Sequence, residues 1–198
     1  MELRVPLRCV GLLLMLTVLP AAGSAPNQNS DVSNRWKTAD RNITRLPVSA
    51  FPDLPADVRN ELRRRGCTVP QVPGEKKPHN VIRGEFIQRG EVDWAILCSV
   101  HRASTLLVFR PGAASKCLAL ASGADIANLQ GAGEEKIAYS RAITAVGRAY
   151  IDEHYRAYLG TKPPVPIDHQ GIDDAFVGKA SVVHYFYRGK WLELQGAD

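Results

Sequence analysis

Between Ile167 and Phe176 the chain reads Ile-Asp-His-Gln-Gly-Ile-Asp-Asp-Ala-Phe, which gathers Asp168, Asp173 and Asp174 within a short stretch and sets the imidazole of His169 beside them. Carboxylates and an imidazole at this density suit two kinds of chemistry. They can hold a divalent cation through hard oxygen ligands, or they can arrange an acid and a base. The spacing departs from the EF-hand loop, which needs oxygen ligands at alternate positions and a distant bidentate Glu. Asp and Gly are also the ordinary residues of turns, so a purely structural loop is the competing reading. Asp168, His169, Asp173 and Asp174 are the first candidates for a functional site.

A second group is aromatic. Tyr185, Phe186, Tyr187 and Trp191 fall within one expected hairpin, where alternation places some rings away from the core. Tyr185, Tyr187 and Trp191 are therefore candidates to line a carbohydrate or peptide groove, against the simpler reading that a hairpin must bury one face anyway. Cys98 and His101 invite a thiol–imidazole reading, but residues three apart in a strand point to opposite faces. His154 lies on an apolar stripe and reads as a core residue. The chain has no Gly-x-Ser-x-Gly elbow, Ser-x-x-Lys pair or His-Glu-x-x-His helix. Gly131-Ala132-Gly133 runs into Glu134 and Glu135, which would repel a phosphate. No cofactor is implied.

The N-terminus has the form of a secretory signal: Arg4 and Arg8, an apolar run from Cys9 to Leu19, Pro20, then Ala21, Ala22, Gly23 and Ser24. The run is shorter than the roughly 20 residues of a spanning helix, so residues 1–24 are expected to be removed and no stable membrane span is expected to remain. The expected location is periplasmic or secreted. Residues 25–49 are polar with little apolar periodicity and read as a flexible leader, or as a segment that orders only against the domain. On that reading a chain beginning at Leu46 should melt within a few degrees of the longer one. Residues 50–198 read as one domain.

The formal net charge is +5. The basic residues do not segregate, and Arg63-Arg64-Arg65 shares a predicted helix with Asp57 and Glu61, so a nucleic-acid partner is not expected. Of the four cysteines, Cys9 belongs to the signal. In an oxidising compartment two of Cys67, Cys98 and Cys117 should pair. Cys98 sits in the most apolar strand, and Cys67 follows a helix that must lie on that sheet. The expected bridge is Cys67–Cys98, with Cys117 free.

The elements follow from periodicity and breakers. Leu54, Val58 and Leu62 recur at helical spacing from near Pro55 until Gly66. Pro70, Pro73 and Pro78 exclude regular structure as far as His79. Strands are expected over Val81–Gln88, Val92–Val100 with Trp94, Ile96 and Cys98 on one face, Ser104–Phe109, and Lys116–Ala121. The stripe Ile143, Val146, Tyr150 and His154 suggests a second helix from near Ile137 to Gly160. A hairpin of Ser181–Tyr187 and Lys190–Leu194, turned at Arg188-Gly189, closes the chain. The fold class is α+β, an antiparallel meander packed with two helices and a C-terminal β-hairpin.

Ile82-Arg83-Gly84-Glu85-Phe86 through Val92-Asp93-Trp94-Ala95-Ile96-Leu97 resembles the Gly-x-Phe…Gly-x-x-Asp-x-Ala-x-Leu hairpin of FG-GAP or VCBS-type repeats. It occurs once and lacks their Asp-x-Asp-x-Asp-Gly calcium loop, so the resemblance implies a local hairpin and not a propeller. Gly171-Ile172-Asp173-Asp174-Ala175-Phe176 with Gly189-Lys190-Trp191 is similar to small exported bacterial proteins of unassigned function, which implies a periplasm. The expected function is a non-catalytic binding module for an envelope or extracellular macromolecule. The alternatives are a metal-dependent enzyme or hydrolase built on the Asp168–Asp174 stretch, and an inhibitor of a hydrolase.

Overall fold

The computed structural model describes residues 28–133 and 136–198. The expected signal lies outside the described residues. Among the described residues three helices, α1 (Gln28–Arg41), α2 (Ala56–Arg64) and α3 (Arg148–Tyr158), accompany twelve strands. The first sheet runs β1 (Arg45–Pro47), β2 (Thr68–Pro70), β4 (Asp93–Val100), β5 (Ala103–Phe109) and β6 (Leu118–Ala124), with β3 (Val81–Gly84) also paired to β4. The second runs β12 (Lys190–Gln195), β11 (Ala180–Tyr187), β10 (Gly171–Phe176) and β9 (Arg141–Val146). A small ribbon pairs β7 (Leu129–Gly131) with β8 (Ile137–Tyr139). Every pairing is antiparallel, so the chain is α+β with a C-terminal β-hairpin.

The central strands are apolar on both faces and therefore support two cores. Ile96, Cys98, Leu107 and Phe109 face α2, whose Val58 and Leu62 are buried with Leu54 as the spacing predicts. Ala95, Leu97, Leu106 and Val108 face the second sheet and meet Ile143 and Ile172. On the far side of that sheet, Val183, Tyr185 and Leu194 pack under Ile151 of α3. The layers are thus helix, sheet, sheet, helix. The tight turns follow their sequence: His101 and Arg102 both have positive φ (49° and 63°), as do Arg188 and Gly189 (49° and 82°), the primed-turn geometry that suits strand twist.

The expected Cys67–Cys98 disulfide is present and Cys117 is free. Of the two readings of residues 25–49, the structure departs from the flexible leader and fits a segment ordered against the domain: α1 and β1 run from Gln28 on, because Trp36, Ala39 and Ile43 pack into the core between the sheets while the helix keeps a polar outer face. Three expectations are corrected. The helix expected from Ile137 starts only at Arg148: Ile137–Tyr139 and Arg141–Val146 are strands, where the β-branched Ile143, Thr144 and Val146 pair with β10, and Gly147 separates strand from helix. The stretch expected as a loop is in its second half an interior strand, Gly171–Phe176. The strand expected over Val81–Gln88 stops at Gly84, because Asp93 takes the backbone N–H groups of Phe86 and Ile87 with its own carboxylate.

Candidate functional site

Strand β10 separates the two aspartates that the sequence sets side by side. Successive residues of a strand face opposite ways, and β10 lies between β9 and β11, so each face is covered by a different layer. Asp174 points between the sheets. Its carboxylate accepts two bonds from Arg141 of β9, from Nε at 2.8 Å and Nη2 at 2.6 Å, and His184 Nε2 of β11 lies 3.6 Å from Oδ2. Arg141 also donates to the carbonyls of Ser104 (3.4 Å) and Ala121 (3.3 Å), which ties the second sheet to β5 and β6. Burial alone would push the Asp174 carboxyl up, but the hydrogen bonds from Arg141 and His184 outweigh it and hold it at about 2.

Asp173 points the other way, beneath α3 and the C-terminal segment. It is 6 % exposed, it lies beside the Ser181 and Tyr150 hydroxyls, and one of its carboxylate oxygens has no hydrogen-bond partner among the described residues. Burial raises its pKa. Gly196 and Ala197 close over it: Ala197 N–H donates to Ser181 Oγ at 2.8 Å, and a Cβ at Gly196 would fall 2.0 Å from that oxygen.

The rest of the stretch is a fastening. Asp168 is exposed on the rim, while its backbone N–H donates to the Tyr185 hydroxyl. His169 stacks on the Tyr185 ring, centroids 4.3 Å apart and nearly parallel, with ring nitrogens at 3.0 Å from the Gln170 carbonyl and 2.9 Å from the Phe186 carbonyl. Tyr185 itself is buried in the core under α3. Trp191 packs edge-on against Phe186 in the core between the sheets, and the Tyr187 ring lies under the Arg188 guanidinium. Asp168, His169 and Tyr185 therefore meet one another, whereas Asp173 and Asp174 each belong to a separate cluster. Among the described residues no group of three or more His, Cys, Asp or Glu side chains is placed to hold a metal ion. Cys98 is bridged and His101 stands in the turn at the strand's end.

Above the Arg141–Asp174–His184 group opens a cleft of about 440 Å³. Ala121, Ser122 and Gly123 of β6 form one wall, Ala127 and Asn128 close one end, and Val182, His184 and Glu193 pave the floor. Asp125, fully buried near that end, accepts bonds from Arg45 (3.0 and 2.7 Å), Ser99 (2.6 Å) and Ser104, so the closed end is pinned from within. A larger cavity, about 660 Å³, lies between α1 and β8 but holds no comparable group of buried charges. Sequence reasoning does not reach Arg141 or Glu193, because the helix expected from Ile137 runs through Arg141 and the cross-strand register that sets His184 opposite Glu193 is not visible in one sequence. The signal that could have found Arg141 is a charged residue interrupting an apolar alternation.

The chain matches no protein-family model, no curated protein and no solved structure.

Proposed function

We propose that the chain is an exported, non-catalytic binding module whose ligand lies in the cleft between β6 and the face of β10, β11 and β12. What supports this most is that the polar groups around the cleft, apart from the exposed Glu193, are already committed. Arg141 spends its donors on Asp174 and two backbone carbonyls, His184 faces Asp174, and Ser122 Oγ is bonded to Thr105 Oγ1 at 2.9 Å. Such groups hold a shape; none is a nucleophile set against a free base. A preformed cleft of this size suits a small ligand or a short chain segment. Export rests on the signal-like N-terminus, and the Cys67–Cys98 bridge suits an oxidising compartment.

A metal-dependent enzyme on the Asp168–Asp174 stretch would need its carboxylates to converge, and Asp173 and Asp174 face opposite layers. The test is amide-shift mapping by NMR of a fragment library against the folded chain, with a calcium and zinc titration beside it. Hits that shift Ser122, Gly123, Val182 and His184, and that Val182→Arg abolishes without lowering the melting temperature, support the reading. Saturable metal binding lost in Asp173→Ala or Asp174→Ala overturns it.

A further inference from the structure

The geometry points to an extended, basic peptide segment of a partner protein as the occupant of the cleft, added as one more strand beside β6. The inference rests on the binding reading above and names its ligand class.

Two facing sheets bury their inner faces against each other, yet the inner face of the second sheet is covered unevenly. Ile172 and His184 are buried there, whereas Val182, on the same face of an interior strand, is 39 % exposed and Glu193 is exposed. The first sheet ends at β6, so at this place the facing layer is one strand short. Among the described residues β6 forms a backbone ladder with β5 alone. Leu118–Ala124 carries no charge and no Pro, the usual guards of an exposed edge. Its one guard is a bulge: three steps from Ala119 to Ser122 oppose two from Leu107 to Thr105, and the Ala121 carbonyl turns to Arg141. The added ladder therefore runs along Ser122–Ala124 and resumes at Leu118–Ala119.

Side-chain space and charge then select the occupant. Ala121, Gly123, Ala127 and Ala180 leave room for a partner's side chains, which alternate between floor and solvent. On the floor Arg141 offsets Asp174, and Glu193 has no ion-pair partner among the described residues. An aliphatic side chain meets Val182, and a Lys or Arg two positions along meets Glu193. A neutral or acidic strand would leave that carboxylate covered and unpaired.

The experiment uses fluorescein-labelled, end-capped peptides of about seven residues, the length of an ordinary strand: one with Val and Lys at successive positions of one face and Ser between them (Val-Ser-Lys-Ser-Val-Ser-Lys), one with Glu in place of each Lys, and the basic one N-methylated at alternate residues. Fluorescence anisotropy against the full chain should show the basic peptide binding about tenfold tighter than the acidic one. N-methylation should remove binding, Glu193→Lys should invert the charge preference, and Val182→Arg should block every probe while the thermal midpoint stays put. Binding indifferent to N-methylation, or to the sign of residue 193, overturns the strand inference. If fragments occupy the cleft and no peptide does, this inference falls and the binding reading stands; if neither does, both fall.

Discussion

Asn80 takes the place of a strand beside Ile143: its Oδ1 accepts the Ile143 N–H at 3.0 Å, and its Nδ2 donates to the Arg141 carbonyl at 3.1 Å. One side-chain amide thus reproduces the donor and acceptor of a peptide group along the outer edge of β9, which would otherwise be open. Nδ2 also donates to the Pro70 carbonyl at 2.7 Å, and the Asn80 carbonyl accepts the Leu97 N–H at 2.9 Å. Fully buried, the residue joins the two sheets at the point where Arg141 begins the strand that reaches the cleft.

Asn80 also has a φ of 67°, in the left-handed region where Asn is tolerated and Ala is not. Asn80→Ala should therefore lose about 3 kcal/mol or more, since buried partners go unsatisfied and the backbone is strained as well. Asn80→Gly removes the bonds and relieves the strain, and should recover about 1 kcal/mol of that loss. Urea midpoints of the two variants decide this. Equal losses would mean that the backbone conformation contributes nothing.

The Cys67–Cys98 bridge closes a separation of 31 residues, for which chain entropy gives roughly 3 to 4 kcal/mol. Both cysteines belong to the core cluster that holds Val58, Leu62 and Ile96, so Cys67→Ala with Cys98→Ala should lower stability by about that amount while keeping the far-ultraviolet dichroism of the sheet. Cys117 packs against the same cluster, and burial pushes its thiol up. In the native protein it should alkylate more slowly than a free model thiol at pH 8, and denaturant should abolish the difference. Fast native labelling would contradict its placement.

The elements legible in the sequence were those whose pattern is local. The α2 stripe, the Trp94–Ile96–Cys98 face, the turns at His101 and Arg188, and the pairing of Cys67 with Cys98 all follow from spacing within a few residues or from one necessary packing. What escaped was decided by partners distant in the chain. Ile143 and Val146 fit a helical stripe as well as a strand, and only pairing with β10 makes them strand residues. Asp173 and Asp174 look like one acidic site in sequence, and only an interior strand sends them to different layers. Glu193 carries no local signal, because nothing near it in the chain tells that its sheet extends past β6.

Helix α1 bears on whether its segment is dispensable. Trp36, Ala39 and Ile43 pack on the core between the sheets, and Asp40 pairs with Arg45, whose guanidinium holds the buried Asp125. A chain beginning at Leu46 exposes that apolar patch and leaves Asp125 with only Ser99 and Ser104. Its thermal midpoint should fall by about 10 °C or more, on the basis of several kcal/mol lost. A midpoint within a few degrees would mean that α1 does not bear on the folded core.

Asp173 and Asp174 should respond to pH with opposite signs, although they are neighbours in one strand. The Asp174 carboxyl sits at about 2, below its ordinary 3.8, so the native state binds fewer protons there than the unfolded chain does. Its stabilisation is complete above about pH 4 and is lost as the pH falls toward 2. Asp174→Asn removes it and strands a buried Arg141, so it should cost about 3 kcal/mol at pH 7, with a deficit that narrows in acid. For Asp173 burial raises the pKa, so the native state binds more protons than the unfolded chain above pH 3.8, and stability declines as the pH rises from there through the raised native value. Asp173→Asn mimics the protonated acid in shape and carries no charge to desolvate. It should match the parent near pH 4 and exceed it in stability at pH 7. Denaturant unfolding of the parent and both variants across pH 3 to 8 gives the three slopes. A loss of stability at pH 7 in Asp173→Asn would mean that the buried carboxylate is needed in its charged form and that the space beneath α3 is a charged site.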